Sequence, residues 1–150
     1  KRVLTLEDGR LASLELAFPR EQVSHRFKRE EQAWKPEESD LQIDSLELAD
    51  LVFAIESLDA TSLEEGEIDL ARLGLAPPRV RVSARDASGA ELGWLELGDP
   101  DPERGLSARS SAGPEIWRVE NSLGEDVPLG VDAFRTKFTP RPDEPTPPAP

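Results

Sequence analysis

The stretch that decides the fold is "DLARLGLAPPRVRV", residues 69–82. Asp69 is placed to cap a single helical turn over 70–73, and Gly74 suits the left-handed position that ends such a turn. Pro77 and Pro78 then forbid further helix and force extended backbone. Val80, Val82 and Ala84 point one way and Arg79, Arg81 and Arg85 the other, the period of a half-buried strand. The G-x-x-x-x-G-K spacing of a phosphate cradle is missing, so the stretch is a joint that feeds a strand rather than a nucleotide loop.

On the N-terminal side, 3–6 and 11–18 flank "EDGR" at 7–10, and Asp-Gly between apolar blocks predicts a hairpin. Leu14, Leu16 and Phe18 share one face of its second strand, and Ser13, Glu15 and Ala17 the other. A third strand is expected over 23–31 with Val23, His25 and Phe27 on one face, followed by a break at 31–33 and Trp34. The period then changes. Leu48, Leu51, Val52, Ile55 and Leu58 recur at helical spacing, which predicts an amphipathic helix over 44–58. Asp44 caps it, with Glu47 three residues on as in a capping box.

On the C-terminal side, a turn at 86–89 returns the chain into a strand over 91–97. There Trp94 and Glu96 lie opposite Leu95 and Leu97. A loop over 98–105, strands near 106–110 and 116–119, and a last helix over 131–138 complete the pattern. Residues 139–150 hold six Pro in twelve positions and read as a flexible or extended tail. The halves echo each other. Leu-Glu-Leu recurs at an offset of 81 residues and a Trp before an acidic, Ser-ending loop at 83. The expected architecture is therefore α+β, with antiparallel β-meanders and two principal helices in one domain over 1–138. Half-repeats at 1–60 and 66–138 would derive from an internal duplication.

The chain of 150 residues carries a formal charge of −13, and the block 41–70 holds nine acids with no Lys or Arg. That surface repels phosphate backbones and anionic head groups, so no nucleic-acid and no direct lipid binding is expected. There is no Cys and a single His. Thiolate chemistry and His-rich metal sites are thereby excluded. The longest apolar run, 51–55, is far short of the roughly 20 residues that span a bilayer. The start at Lys1-Arg2-Val3 is what a chain trimmed of an N-terminal anchor or signal would show.

No catalytic constellation emerges, and no catalytic residue, cofactor or metal ligand is assigned. "DPDPERG" at 99–105 offers carboxylates at alternate positions. Its Gly falls at the seventh place and two Pro stiffen it, so a plain strand connection is favoured over a Ca²⁺ loop. His25 shares the face of Phe27 without a Ser or Asp partner, as a structural histidine does. Trp34 and Trp117 read as core. Arg135 and Lys137 suit the C-terminal end of the last helix. Candidate partner-binding residues are Trp94, on the face opposite Leu95 and Leu97, and the helix acids Glu47, Asp50, Glu56 and Asp59.

Gly74-Leu75, Pro77-Pro78, Leu97-Gly98, Trp117 and Arg135-Thr136-Lys137, together with "VLTLEDGRLASLELA" and Trp34, resemble the bacterial domain of unknown function 4340 over about residues 3–138. Leu73 stands where that family often has an aromatic, and 99–104 is unusually acidic. The resemblance implies an envelope protein on the periplasmic side, tethered by an N-terminal anchor absent from this chain. It implies association with transporter-like or gliding-motility-like systems and no reaction. The expected function is a non-enzymatic interaction or scaffold module with protein partners in a membrane-associated assembly. A glycan- or peptide-binding module, with Trp94 in an apolar pocket, is the alternative, and a small-molecule ligand is not expected.

Overall fold

A computed structural model of the chain describes residues 2–38 and 40–139. Its strands are β1 (Ser13–Phe18), β2 (Val23–Glu30), β3 (Ala33–Pro36), β4 (Ser62–Leu63), β5 (Val80–Arg85), β6 (Glu91–Asp101), β7 (Gly105–Ser110) and β8 (Gly113–Val119). Its helices are α1 (Ser45–Glu56), α2 (Leu123–Asp126) and α3 (Val131–Phe138). The strands form one open antiparallel sheet in the order β3-β2-β1-β5-β6-β7-β8-β4. This is the α+β class expected, with a short third helix added.

Side-chain alternation sets the two faces. Leu14, Leu16 and Phe18 pair across the ladder with Phe27, His25 and Val23. On the other side of β1, Leu14 and Leu16 meet Ala84 and Val82. This face continues through Val80, Leu95, Leu97 and Ala108, and all of these apolar residues except Val23 are buried. α1 and α3 cover it. Leu48, Leu51, Val52 and Ile55 form the buried stripe of α1. Phe134 of α3 sits 6.0 Å from Phe18 and 6.1 Å from Phe27, and stacks on His25 at 4.9 Å. His25 is thus structural, with its Nδ1 2.7 Å from Glu38. Trp34 belongs to the core, whereas Trp117 is half-buried against it.

Three readings are corrected. The hairpin over 3–6 and 11–18 does not form. Both sides of β1 are already occupied, by β2 and β5, so no ladder is left for 3–6. Val3 and Leu4 are buried without strand pairing, with the Val3 N–H donating to the Leu58 carbonyl and the Ser110 hydroxyl donating to the Val3 carbonyl. Residues 98–101 are strand instead of loop, because the Asp101 carboxylate accepts from the Glu103 and Arg104 N–H groups and closes a tight turn into β7. The capping box is half made. Asp44 accepts from the Leu46 N–H at 2.9 Å, but its own N–H donates to the Phe138 carbonyl rather than to Glu47. The duplication is not shown, since the β5–β6 hairpin has no counterpart ahead of β1. The Pro-rich tail, from residue 140 on, lies outside the described residues.

The joint at 69–78 forms as read. Asp69 Oδ1 accepts from the Ala71 N–H at 3.1 Å, and the Leu75 N–H donates to the Leu70 carbonyl at 2.8 Å. Gly74 takes φ 76°. The Ala76–Pro77 peptide is cis. The turn lies flat on β6 and β7. The Leu73 carbonyl accepts from the Ser107 hydroxyl at 2.6 Å and from the Asp99 N–H at 3.0 Å. Backbone meets backbone there, and a Cβ on Gly98 would overlap Ser107 Oγ and the Leu73 carbonyl and come within 3.0 Å of the Gly74 carbonyl carbon.

Two stability measurements check this packing. Phe134→Ala, at a fully buried position, is expected to lower the unfolding free energy in denaturant titration by about 3–5 kcal/mol. Gly98→Ala is expected to cost about 1–3 kcal/mol by forcing the joint off the sheet.

Candidate functional site

The acids of 41–70 do not act as one face. α1 turns 100° per residue, so its buried stripe leaves Leu46, Asp50 and Phe53 on the solvent side. Leu46 is 77% exposed and Phe53 71%, the two most exposed large apolar side chains described. Phe53 forms a ridge between two depressions.

On one flank lies a groove of about 630 Å³ between the C-terminal half of α1, the 57–61 connection and α2. Ala54, Leu58, Ala60 and Leu123 give it an apolar floor, with Phe53 beside them. Asp50, Asp59, Glu120, Glu125 and Asp126 line it, and no Lys, Arg or His does. Arg2 answers Asp59 at 3.2 Å. Lys137 reaches from α3 to the Glu125 carbonyl and lies 3.8 Å from Glu47. On the other flank is a depression of about 200 Å³, lined by Arg29, Trp34, Val52, Phe53 and Glu56 among others. Of the sequence-derived acids, Asp50 and Asp59 therefore converge on the groove. Glu47 turns toward Lys137, and Glu56 lies beyond the Phe53 ridge. Phe53 escaped the sequence reading although its signal was present: it is an aromatic residue off the apolar stripe of a helix. Glu120, Glu125 and Asp126 carry no such signal, because only the fold brings α2 beside α1.

Trp94 lies on the sheet face opposite Leu95 and Leu97, away from this groove. Arg81 stands 4.3 Å from its ring centre and Arg109 5.6 Å. Both guanidinium groups also hold Glu96, at 3.0 and 2.5 Å, and that carboxylate is buried beneath them. The same face carries Glu15 with Arg26 and, at its far end, Glu64 between Arg118 and Arg104. Cation–π and ion-pair contacts thus knit β5, β6 and β7 together on the helix-free side.

Electrostatic shifts on this frame all favour retained charge. Hydrogen bonds from Arg118, outweighing burial, and from Arg104 hold the Glu64 carboxyl low. Burial pushes Asp99 up, but Arg79 and Arg20 overcome it and leave the carboxyl below its usual value. Backbone N–H donors of Glu103 and Arg104 lower Asp101. Asp86 is lowered from 3.8 to about 2, first by the Ser88 hydroxyl and then by the Ala90 N–H. In the acid loop at 99–105, Asp99 is taken up by arginines and Asp101 by backbone N–H groups. Among the described residues no three acidic, His or Cys side chains converge as a metal site would require.

Fold and surface together define a two-layer α+β domain with one covered sheet face, one arginine-laced face and an acidic groove rimmed by an exposed aromatic. The chain belongs to the family described as a domain of unknown function, DUF4340, which residues 34–144 match. The match begins at Trp34, so it takes in α1 and the joint but not β1 and β2. No curated protein and no solved structure matches the chain. No helix among the described residues is long and apolar enough to cross a membrane.

The lowered carboxyls Glu64, Asp86, Asp99 and Asp101 make the fold sensitive to acid. A depressed carboxyl contributes stability that is complete above its unfolded pKa and lost as the pH falls through its folded one. The melting temperature is expected to start falling near pH 4.5, the ordinary value for Glu64. The loss is expected to continue through the interval from 3.8 to about 2 set by Asp86. Asp86→Asn is expected to flatten the lower part of that fall in thermal melts across this range.

Proposed function

We propose that this domain is a non-enzymatic interaction module that docks a protein partner through the α1–α2 groove. The observation that carries the reading is Phe53, 71% exposed beside an apolar floor. Aromatic anchors next to a concave apolar floor dominate the energetics of protein interfaces. A solitary exposed leucine needs no explanation, but Leu46 and Phe53 lie seven residues apart on one helix face, the spacing a docked element meets. The non-enzymatic reading draws support from the carboxylates named above. Their shifts point toward permanent charge held in structural ion pairs and hydrogen bonds, the opposite of the raised pKa of a general acid. The setting, the periplasmic side of the cell envelope in an accessory part of a transporter-like or motility-like membrane complex, rests on the family resemblance.

Site-specific photo-cross-linking in the full-length protein in its native cells tests the docking reading. A benzophenone side chain at position 53 is expected to capture a discrete partner that the same group at Ser24, exposed on the helix-free face, does not. Equal patterns from both positions would refute it.

A further inference from the structure

We infer that the occupant of the groove is a positively charged amphipathic segment of a partner protein, with apolar side chains set on Phe53, Leu58 and Leu123 and Lys or Arg side chains along the rim. The inference rests on the docking reading above and adds the chemistry of the partner. The groove follows α1 from Asp50 to its C-cap Ser57, seven residue steps or about 10 Å at the helical rise, which suits two turns of a docked helix. Its carboxylates stand on both walls, Asp50 and Asp59 on the α1 side and Glu120, Glu125 and Asp126 on the α2 side. A single metal ion needs converging ligands, and no three acidic, His or Cys side chains converge in this way among the described residues. Several cations spaced along a chain match this distribution.

The other occupants fit less well. A second copy would bring another −13 of charge. In an isologous contact the same acidic walls would face each other, a juxtaposition that costs free energy. Phosphate, anionic lipid head groups and nucleic acid are repelled for the same reason. An uncharged apolar partner would leave Asp50, Glu120 and Asp126, for which no ion pair is present among the described residues, desolvated without compensation.

The test uses the full chain and three synthetic peptides: an amphipathic helix with Leu and Phe on one side and Lys and Arg on the other, the same peptide with Glu for each Lys and Arg, and an oligolysine of equal charge. Binding is followed by fluorescence anisotropy of a dye on the peptide. The basic amphipathic peptide is expected to bind, with affinity falling as salt rises. The oligolysine should bind at least about tenfold more weakly and the acidic peptide not at all. Phe53→Ser, and separately Asp50→Lys with Asp126→Lys, should each raise the Kd about tenfold. Phe53 is largely exposed, so its variant is expected to melt as the parent does. Equal binding of oligolysine, or no effect of Phe53→Ser, would reduce the groove to a diffuse acidic surface and overturn the inference. So would self-association in sedimentation that Phe53→Ser abolishes. If the basic peptide fails to bind while position 53 still cross-links a discrete partner, the partner chemistry is wrong and the docking reading stands. If both fail, the docking reading falls as well.

Discussion

The pairing of β1 with β5 is the contact on which the sheet depends. Ser13 to Ala17 run against Arg85 to Arg81, and this ladder joins two meanders that the chain builds more than sixty residues apart. Without it, β3-β2-β1 and β5-β6-β7-β8-β4 would be separate ribbons, and neither would offer α1 and α3 a continuous apolar floor. Such a long-range ladder pays its loop-closure entropy before packing offsets it. The protein accordingly fixes the entry of β5 with care. The joint at 69–78 is closed by its own cap and glycine and pressed against Gly98. It is then held by Arg20, which donates to the Gly74 and Pro77 carbonyls and to Asp99.

The two sheet faces are stabilised by different physics. On the helix side, burial of Leu, Val and Phe dominates, and the Phe18–Phe27–Phe134–Phe138 cluster anchors α3. On the other side there is no covering helix. Arg81, Arg109 and Trp94 roof the buried Glu96, so the charge is paired and hydrogen-bonded rather than abandoned. Cross-strand pairs of this kind also fix register, since a one-residue slip would carry Glu96 to the apolar face.

Where these two regimes meet, α1 and α2 leave surface unmatched. α1 buries one stripe and still shows a large aromatic to solvent, and the fold sets acids from a distant segment around it. The arginine-laced face has its charges answered internally. This contrast directs attention to the α1–α2 groove and away from Trp94, whose ring is occupied by two guanidinium groups.

Local patterns determined much of this protein. The joint, the α1 stripe and its Asp44 cap, the alternation in β1, β5 and β6, and the last helix over 131–138 follow from residue spacing and from Gly and Pro conformational limits, which act over a few positions. The fate of 3–6 was decided elsewhere. An apolar run beside Asp-Gly reads as a strand, but a strand needs a free ladder, and β2 and β5 had taken both. Residues 98–101 joined β6 because Asp101 found backbone donors across a turn. Asp50 and Asp59 stand out in an acidic block, whereas Glu120, Glu125 and Asp126 gain meaning only when α2 is laid against α1. Sequence periodicity reports which face of an element is buried. Which distant element arrives to complete a surface is set by the competition among all strands and helices for the same sheet, and only the tertiary structure resolves that.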